Sequence, residues 1–122
     1  MTVTLLAAAM LAYGPQPLPT ARELHAACSI YVEDQTTRAA NSTAPERGLS
    51  CELGMFGVLS TNLAEAEPGF CEPAAVETAR DSSVQIARIY VTYYERNPAV
   101  QDSADSDAVL RAALVEKWPC RR

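Results

Sequence analysis

Four cysteines, Cys28, Cys51, Cys71 and Cys120, constrain the fold of this chain more than any other feature. An even number of cysteines in a small domain is typical of a disulfide framework, and four cysteines allow three pairings. A zinc site is the main alternative. It needs closely spaced ligands such as Cys-x-x-Cys, which the sequence lacks, and the only histidine is His25. Free structural thiols are the remaining alternative if the chain is not exported.

The N-terminus predicts export. Residues 1–14 carry no charge, and residues 5–12 form an apolar block that is too short to span a bilayer but fits a secretory signal. We therefore expect residues 1–20 to be a signal peptide and leader, and residues 21–122 to be one helical domain that is not inserted in a membrane. An ordinary buried or disordered N-terminal segment is the alternative, because no basic residue precedes the block.

Local patterns predict two helices in the first half of the domain. Thr20 and Glu23 have the spacing of a capping box, so the first helix should start there and fade at residues 33–34. A second helix is expected from about Glu46 to Ala66. It is apolar nearly all round, with Leu49, Leu53, Phe56 and Leu63 near one face, so we expect its neighbours to bury it. Its glycines should allow another helix to approach closely.

Two more helices are expected in the second half. Asp81, Ser82 or Ser83 can cap a third helix that runs to about Arg96 and carries an inward stripe of isoleucines and tyrosines. A fourth helix should begin near Ser106 and end near Lys117, before Pro119. Residues 74–80 are either an additional helical turn or a loop.

These elements predict an all-α fold. Short connections favour antiparallel packing of consecutive helices in a bundle of four, or of five if residues 74–80 are helical. Cys28 near the end of the first helix is then level with Cys51 near the start of the second. Cys71 and Cys120 follow the second and fourth helices at a common end of the bundle. We therefore predict two disulfides, Cys28–Cys51 and Cys71–Cys120.

Charge and residue patterns exclude several function classes. The formal net charge is −5 and there is no basic cluster, which argues against nucleic-acid binding. His25 lies inside a predicted helix, and Asp105 and Asp107 lie in a polar acidic stretch without the burial that catalytic carboxylates need. We expect no metal, no cofactor and no enzymatic activity, although a hydrolase remains the weakest of three function classes.

A series of short motifs resembles a known family. They are Glu23-Leu-x-x-Ala-Cys28, the glycine-containing helix opened by Cys51, Phe70-Cys71-x-Pro73, Gln85-x-x-Arg88-x-x-x-x-Tyr93-x-Glu95-x-x-Pro98, and Ala113-Leu-x-Glu-x-Trp-Pro-Cys120. In this order they resemble the Rap/Tai immunity proteins of type VI secretion systems. The resemblance implies a periplasmic, all-helical, disulfide-bonded protein, often a homodimer, that binds and inhibits a peptidoglycan amidase effector. A small periplasmic binding or chaperone-like protein is the alternative from a different class.

The stretch from Asn97 to Asp107 is the candidate partner-binding site. It is polar, it lacks basic residues, and two predicted helices anchor its ends. Inhibitors of cleft enzymes commonly present such a loop, and the resemblance implies insertion into the amidase cleft. The candidate residues are Asn97, Gln101, Asp102, Asp105 and Asp107. The alternative is a solvated connector whose acidic residues only cap the fourth helix, for which Asp105 and Ser106 are suited.

Overall fold

The computed structural model describes residues 18–37, 48–73 and 79–121, without the side chains of residues 36, 37 and 79–81. These residues form four α-helices and one short 3-10 helix, with no strand among them. The helices are α1 (Ala21–Thr37), α2 (Leu49–Ala64), α3 (Ala79–Arg96) and α4 (Ser106–Lys117), and the 3-10 helix is Pro98–Val100. The predicted all-α class is confirmed. The expected signal segment at residues 1–17 and the question of an additional turn at residues 74–78 lie outside the described residues.

The start of α1 follows from its local sequence. The Glu23 amide donates to Thr20 Oγ1 at 3.1 Å, and the Thr20 amide donates to Glu23 Oε1 at 3.2 Å, so the capping box is confirmed. The helix continues to Thr37, beyond the predicted end at residues 33–34. No proline or glycine interrupts this polar segment, and polar residues alone do not terminate a helix.

The prediction that α2 is buried on all sides is wrong. Its buried residues are Cys51, Met55, Val58 and Asn62. The opposite row is exposed: 48% for Leu49, 62% for Leu53, 70% for Phe56 and 85% for Leu63. The helix lies at the edge of the bundle, where its three partner helices cover only the row that contains Cys51.

Close helix approach is confirmed at two of the three glycines near α2. A Cβ atom at Gly48 would lie 2.8 Å from Tyr31 Cδ2, and one at Gly54 would lie 3.0 Å from Leu24 Cδ1. Both contacts are with α1, which therefore packs directly against the backbone of α2. A Cβ atom at Gly57 would have no neighbour within 4 Å, so this glycine faces open space.

The core forms where α1 and α3 meet, since this is the most extensive helix pair. Tyr90 is fully buried, and its hydroxyl donates to the Ala21 carbonyl at 2.6 Å. Burial raises the pKa of Tyr90 well above its ordinary value.

The α3 helix starts at Ala79 instead of at the predicted Asp81–Ser83 cap, because the upstream residues already have helical backbone. The predicted limits of α4 are confirmed.

Both predicted disulfides are present. Cys28–Cys51 joins α1 to α2 and Cys71–Cys120 joins the segment after α2 to the segment after α4, each with Cα atoms 4.9 Å apart. The second link is reinforced by the Cys71 amide, which donates to the Trp118 carbonyl at 2.8 Å. Both covalent links therefore connect elements that already pack together.

Candidate functional site

The stretch between α3 and α4, residues 97–105, is called the acidic loop below. The Asn97 side-chain amide donates to the Tyr93 carbonyl at 2.7 Å, and that of Gln101 donates to the Tyr94 carbonyl at 3.1 Å. Both side chains therefore donate to carbonyl groups in the last turn of α3, where the helix ends, and the Tyr94 carbonyl also accepts from the Asn97 backbone amide at 3.3 Å. They fix the start of the loop, so their amides are already engaged within the chain.

The far end of the loop is fixed by Asp105. Its Oδ1 accepts a hydrogen bond from the Ala108 amide at 3.0 Å, which makes Asp105 the N-cap of α4. The cap interpretation is therefore confirmed for this residue. The expectation that Asp107 is solvated is wrong. This residue, in the first turn of α4, is half-buried, and its pKa is raised by burial and then by the charge of Asp105.

Asp102 differs from these residues because it has no part in capping either helix. Its side chain is 92% exposed, and one carboxylate oxygen lies 2.9 Å from Arg22 Nη2. The adjacent Ser103 carbonyl accepts a hydrogen bond from the Ala21 amide at 3.0 Å. The middle of the loop is thus held against the start of α1 with Asp102 outermost. Arg22 was not among the predicted site residues, because it is 80 positions away and shares no local motif with the loop.

The neighbourhood of His25 does not form a catalytic relay. Its Nε2 lies 3.2 Å from Glu95 Oε1 and 3.5 Å from Ser29 Oγ, and the ring stacks on Tyr94 with 4.2 Å between centroids. A serine–histidine–acid triad uses both ring nitrogens, one for the serine and the other for the acid. Here both partners contact the same nitrogen. The arrangement therefore serves as a contact between α1 and α3.

A second candidate surface is the outer face of α2, formed by Leu49, Leu53, Phe56 and Leu63. A depression of about 330 Å³ lies beside Leu53 and Phe56, and another of about 430 Å³ lies beside Leu63 and Phe70. Contiguous exposed apolar residues with adjoining depressions are typical of a protein-interaction surface. The sequence contained a signal for this orientation. Cys51 must point towards Cys28 if the two form a disulfide. The residues four, seven and eleven positions after Cys51 lie on the same side of the helix and therefore also point inwards; they are Met55, Val58 and Asn62.

The described residues provide neither a metal cluster nor a membrane span. No group of three or more His, Cys, Asp or Glu side chains in these ranges is placed to hold a metal ion. In the same residues no helix combines the length and apolarity that crossing a bilayer requires.

Comparison of the chain with protein-family models, curated proteins and solved structures found no significant match.

Proposed function

We propose that this protein is a periplasmic immunity protein that binds and inhibits a peptidoglycan amidase delivered by a type VI secretion system. The observation that carries the proposal is the acidic loop, whose ends are held by Asn97 and Asp105 while Asp102 is exposed at its middle. A loop that is already ordered loses less conformational entropy on binding, which favours tight inhibition of a cleft enzyme. The motifs that resemble the Rap/Tai family suggest the amidase as the target.

The disulfides support the proposed location. Four of four cysteines are paired, and disulfides persist in oxidising compartments such as the bacterial periplasm. The uncharged segment at residues 1–14 has the composition of a secretory signal. We propose that residues 1–20 direct export and that residues 21–122 act as the inhibitor.

The outer face of α2 supports a homodimer. This face and Ser60 form a regular series along the helix: Leu49, Leu53, Phe56, Ser60 and Leu63. Successive members are four, three, four and three residues apart, which is the spacing of the residues that form the contact line, or seam, of a two-helix coiled coil. Gly57 lies beside this seam and faces open space, so the helix of a second copy has room to approach closely. Two copies joined in this way would cover four large apolar side chains on each partner.

A rescue experiment tests the inhibitory function. The test starts with a search of the neighbouring genes for a secreted peptidoglycan amidase, which is then expressed in the periplasm with and without the protein while cell lysis is measured. We expect the wild-type protein to prevent lysis and the Asp102→Lys variant to protect less, since reversal of this exposed charge repels a basic cleft rim and slows association. Arg121→Glu, which reverses an exposed charge near the C-terminus, is the control and should protect fully.

The outcomes of the rescue experiment separate two questions. Lysis in the presence of folded wild-type protein would refute inhibition of that amidase. Full protection by Asp102→Lys would retain the inhibitory function but place the interface away from the acidic loop.

The outer face of α2 also favours a second candidate, a chaperone-like protein that binds unfolded clients. An exposed apolar surface can hold apolar segments of many proteins. Suppression of the aggregation of several unrelated acid-unfolded proteins, lost in Phe56→Glu, would favour this function. Binding of a single folded enzyme would favour the inhibitor.

A further inference from the structure

A groove between α3 and α4 differs in charge from the rest of the described surface. It has a volume of about 460 Å³, within the range of ligand-binding sites. Among the described residues, Arg88, Arg96 and Lys117 line it, and Glu116 is the only acidic side chain in this lining. The other cationic side chains that the structure describes are Arg22, Arg111 and Arg121, so half of the six lie in this groove. A local excess of positive charge therefore occurs on a chain whose net charge is −5.

The cations of the groove are available to a ligand. Within the described part of the chain, neither Arg88 nor Lys117 forms an ion pair. Arg96 Nη2 lies 3.3 Å from Glu116 Oε2, in a single contact between two side chains that are more than half exposed. Such surface pairs contribute little stability, so Arg96 can exchange Glu116 for an incoming carboxylate at small cost.

The groove also has an apolar component. Ile89 and Ala113 contribute aliphatic surface, and Tyr93 contributes an aromatic ring. A ligand that combines carboxylates with short aliphatic chains matches this lining, because its charges meet the cations while its methylene groups cover the apolar surface. Glutamate and aspartate side chains have this composition.

We propose that the groove between α3 and α4 binds a short acidic peptide segment of a partner protein through Arg88, Arg96 and Lys117. Guanidinium groups bind carboxylates with two parallel hydrogen bonds, and the lysine adds a third cation on the opposite helix. A long polyanion such as nucleic acid fits less well, because it would extend beyond the groove over a surface with excess negative charge. This site is separate from the acidic loop and does not depend on the identity of the inhibited enzyme.

The test is fluorescence anisotropy with fluorescein-labelled acetyl-hexaglutamate, using the full mature chain with intact disulfides. We expect saturable binding that weakens as sodium chloride is raised from about 0.05 M to about 0.3 M, because salt screens exposed charges. Hexaserine should not bind, and an oligothymidylate of equal charge should bind more weakly than hexaglutamate. Equal or tighter binding of the oligothymidylate would overturn the assignment to acidic peptides.

Two variants and one control locate the site. Arg88→Gln with Lys117→Gln should weaken hexaglutamate binding about tenfold. Thr92→Trp should also weaken it, since this exposed residue lines the groove and the larger side chain fills it without changing the charge. Arg22→Gln with Arg121→Gln removes the same charge from two described residues that do not line the groove, and it should have little effect. Equal losses in the two double variants, or unchanged binding in Thr92→Trp, would show general attraction by surface charge and refute the groove as the site.

Discussion

Asp102 and Asp105 are three residues apart, yet the structure gives them different roles. Asp105 caps α4 through the Ala108 amide, whereas Asp102 contacts only an exposed arginine among the described residues. Asp105→Ala should therefore lower the free energy of unfolding by about 1 kcal/mol, the usual cost of losing an N-cap. Asp102→Ala should change it little, because exposed ion pairs contribute little. Urea denaturation of both variants checks this, and equal losses would contradict the assignment of separate roles.

Asp107 should make stability depend on pH. Its raised pKa means that the native state holds the proton more tightly than the unfolded chain does. Ionised Asp107 therefore lowers stability above its folded-state pKa, and this penalty vanishes below the ordinary aspartate pKa of about 3.9. Asp107→Asn should raise the free energy of unfolding near neutral pH and leave it nearly unchanged in acid. An effect of equal size at both pH values would point to side-chain packing instead of charge.

Among the helices, α2 shows the limit of sequence periodicity. Two rows in this helix have helical spacing, one with Leu49, Leu53 and Phe56 and the other with Cys51 and Met55. Apolarity alone favours burying the leucine row, and the structure exposes it. The covalent link at Cys51 fixes the opposite orientation, and periodicity contains no information about such a link. By contrast, α4 was predictable to the residue because Asp105 and Ser106 define its start locally.

The two rows of α2 should respond oppositely to substitution. Phe56→Glu places a charge on a position that is exposed in the monomer, so it should change the monomer's free energy of unfolding by no more than about 0.5 kcal/mol. It should also convert the proposed homodimer into a monomer. Met55→Ala removes a buried side chain and should cost about 2–5 kcal/mol. Light scattering after size-exclusion chromatography and urea denaturation measure the two effects. A monomeric wild-type protein at high micromolar concentration would refute the homodimer.

The candidate site was predictable only where its contacts are local. Asp105 as a cap follows from three neighbouring residues, and the anchoring of the loop ends follows from the two flanking helices. The contacts of Asp102 with Arg22 and of Ser103 with Ala21 join segments about 80 positions apart, and they depend on the packing of α1 against α3. Such contacts arise only from the complete fold.

At the scale of the whole molecule, the two disulfides should differ in accessibility. Cys28 and Cys51 are fully buried, whereas Cys71 is exposed and Cys120 is half-buried. Thiol exchange requires direct attack on a sulfur atom, so a mild reductant should open Cys71–Cys120 first. Alkylation followed by peptide mass mapping identifies the opened pair. If Cys28–Cys51 opened first, burial would not control the accessibility of the two disulfides. Removal of the Cys71–Cys120 link should lower the free energy of unfolding by about 4 kcal/mol on the chain-entropy model.

The order of the disulfides along the chain has a consequence for biogenesis. Each link joins two consecutive cysteines of the chain, the first to the second and the third to the fourth. The two covalent loops, residues 28–51 and 71–120, therefore do not overlap. Under the proposed export, the chain crosses the membrane from its N-terminus and presents Cys28 and Cys51 before Cys71. An oxidase that joins thiols in their order of appearance therefore generates the native links directly. Slow thiol–disulfide reshuffling is then unnecessary, and maturation should require an oxidase but no disulfide isomerase.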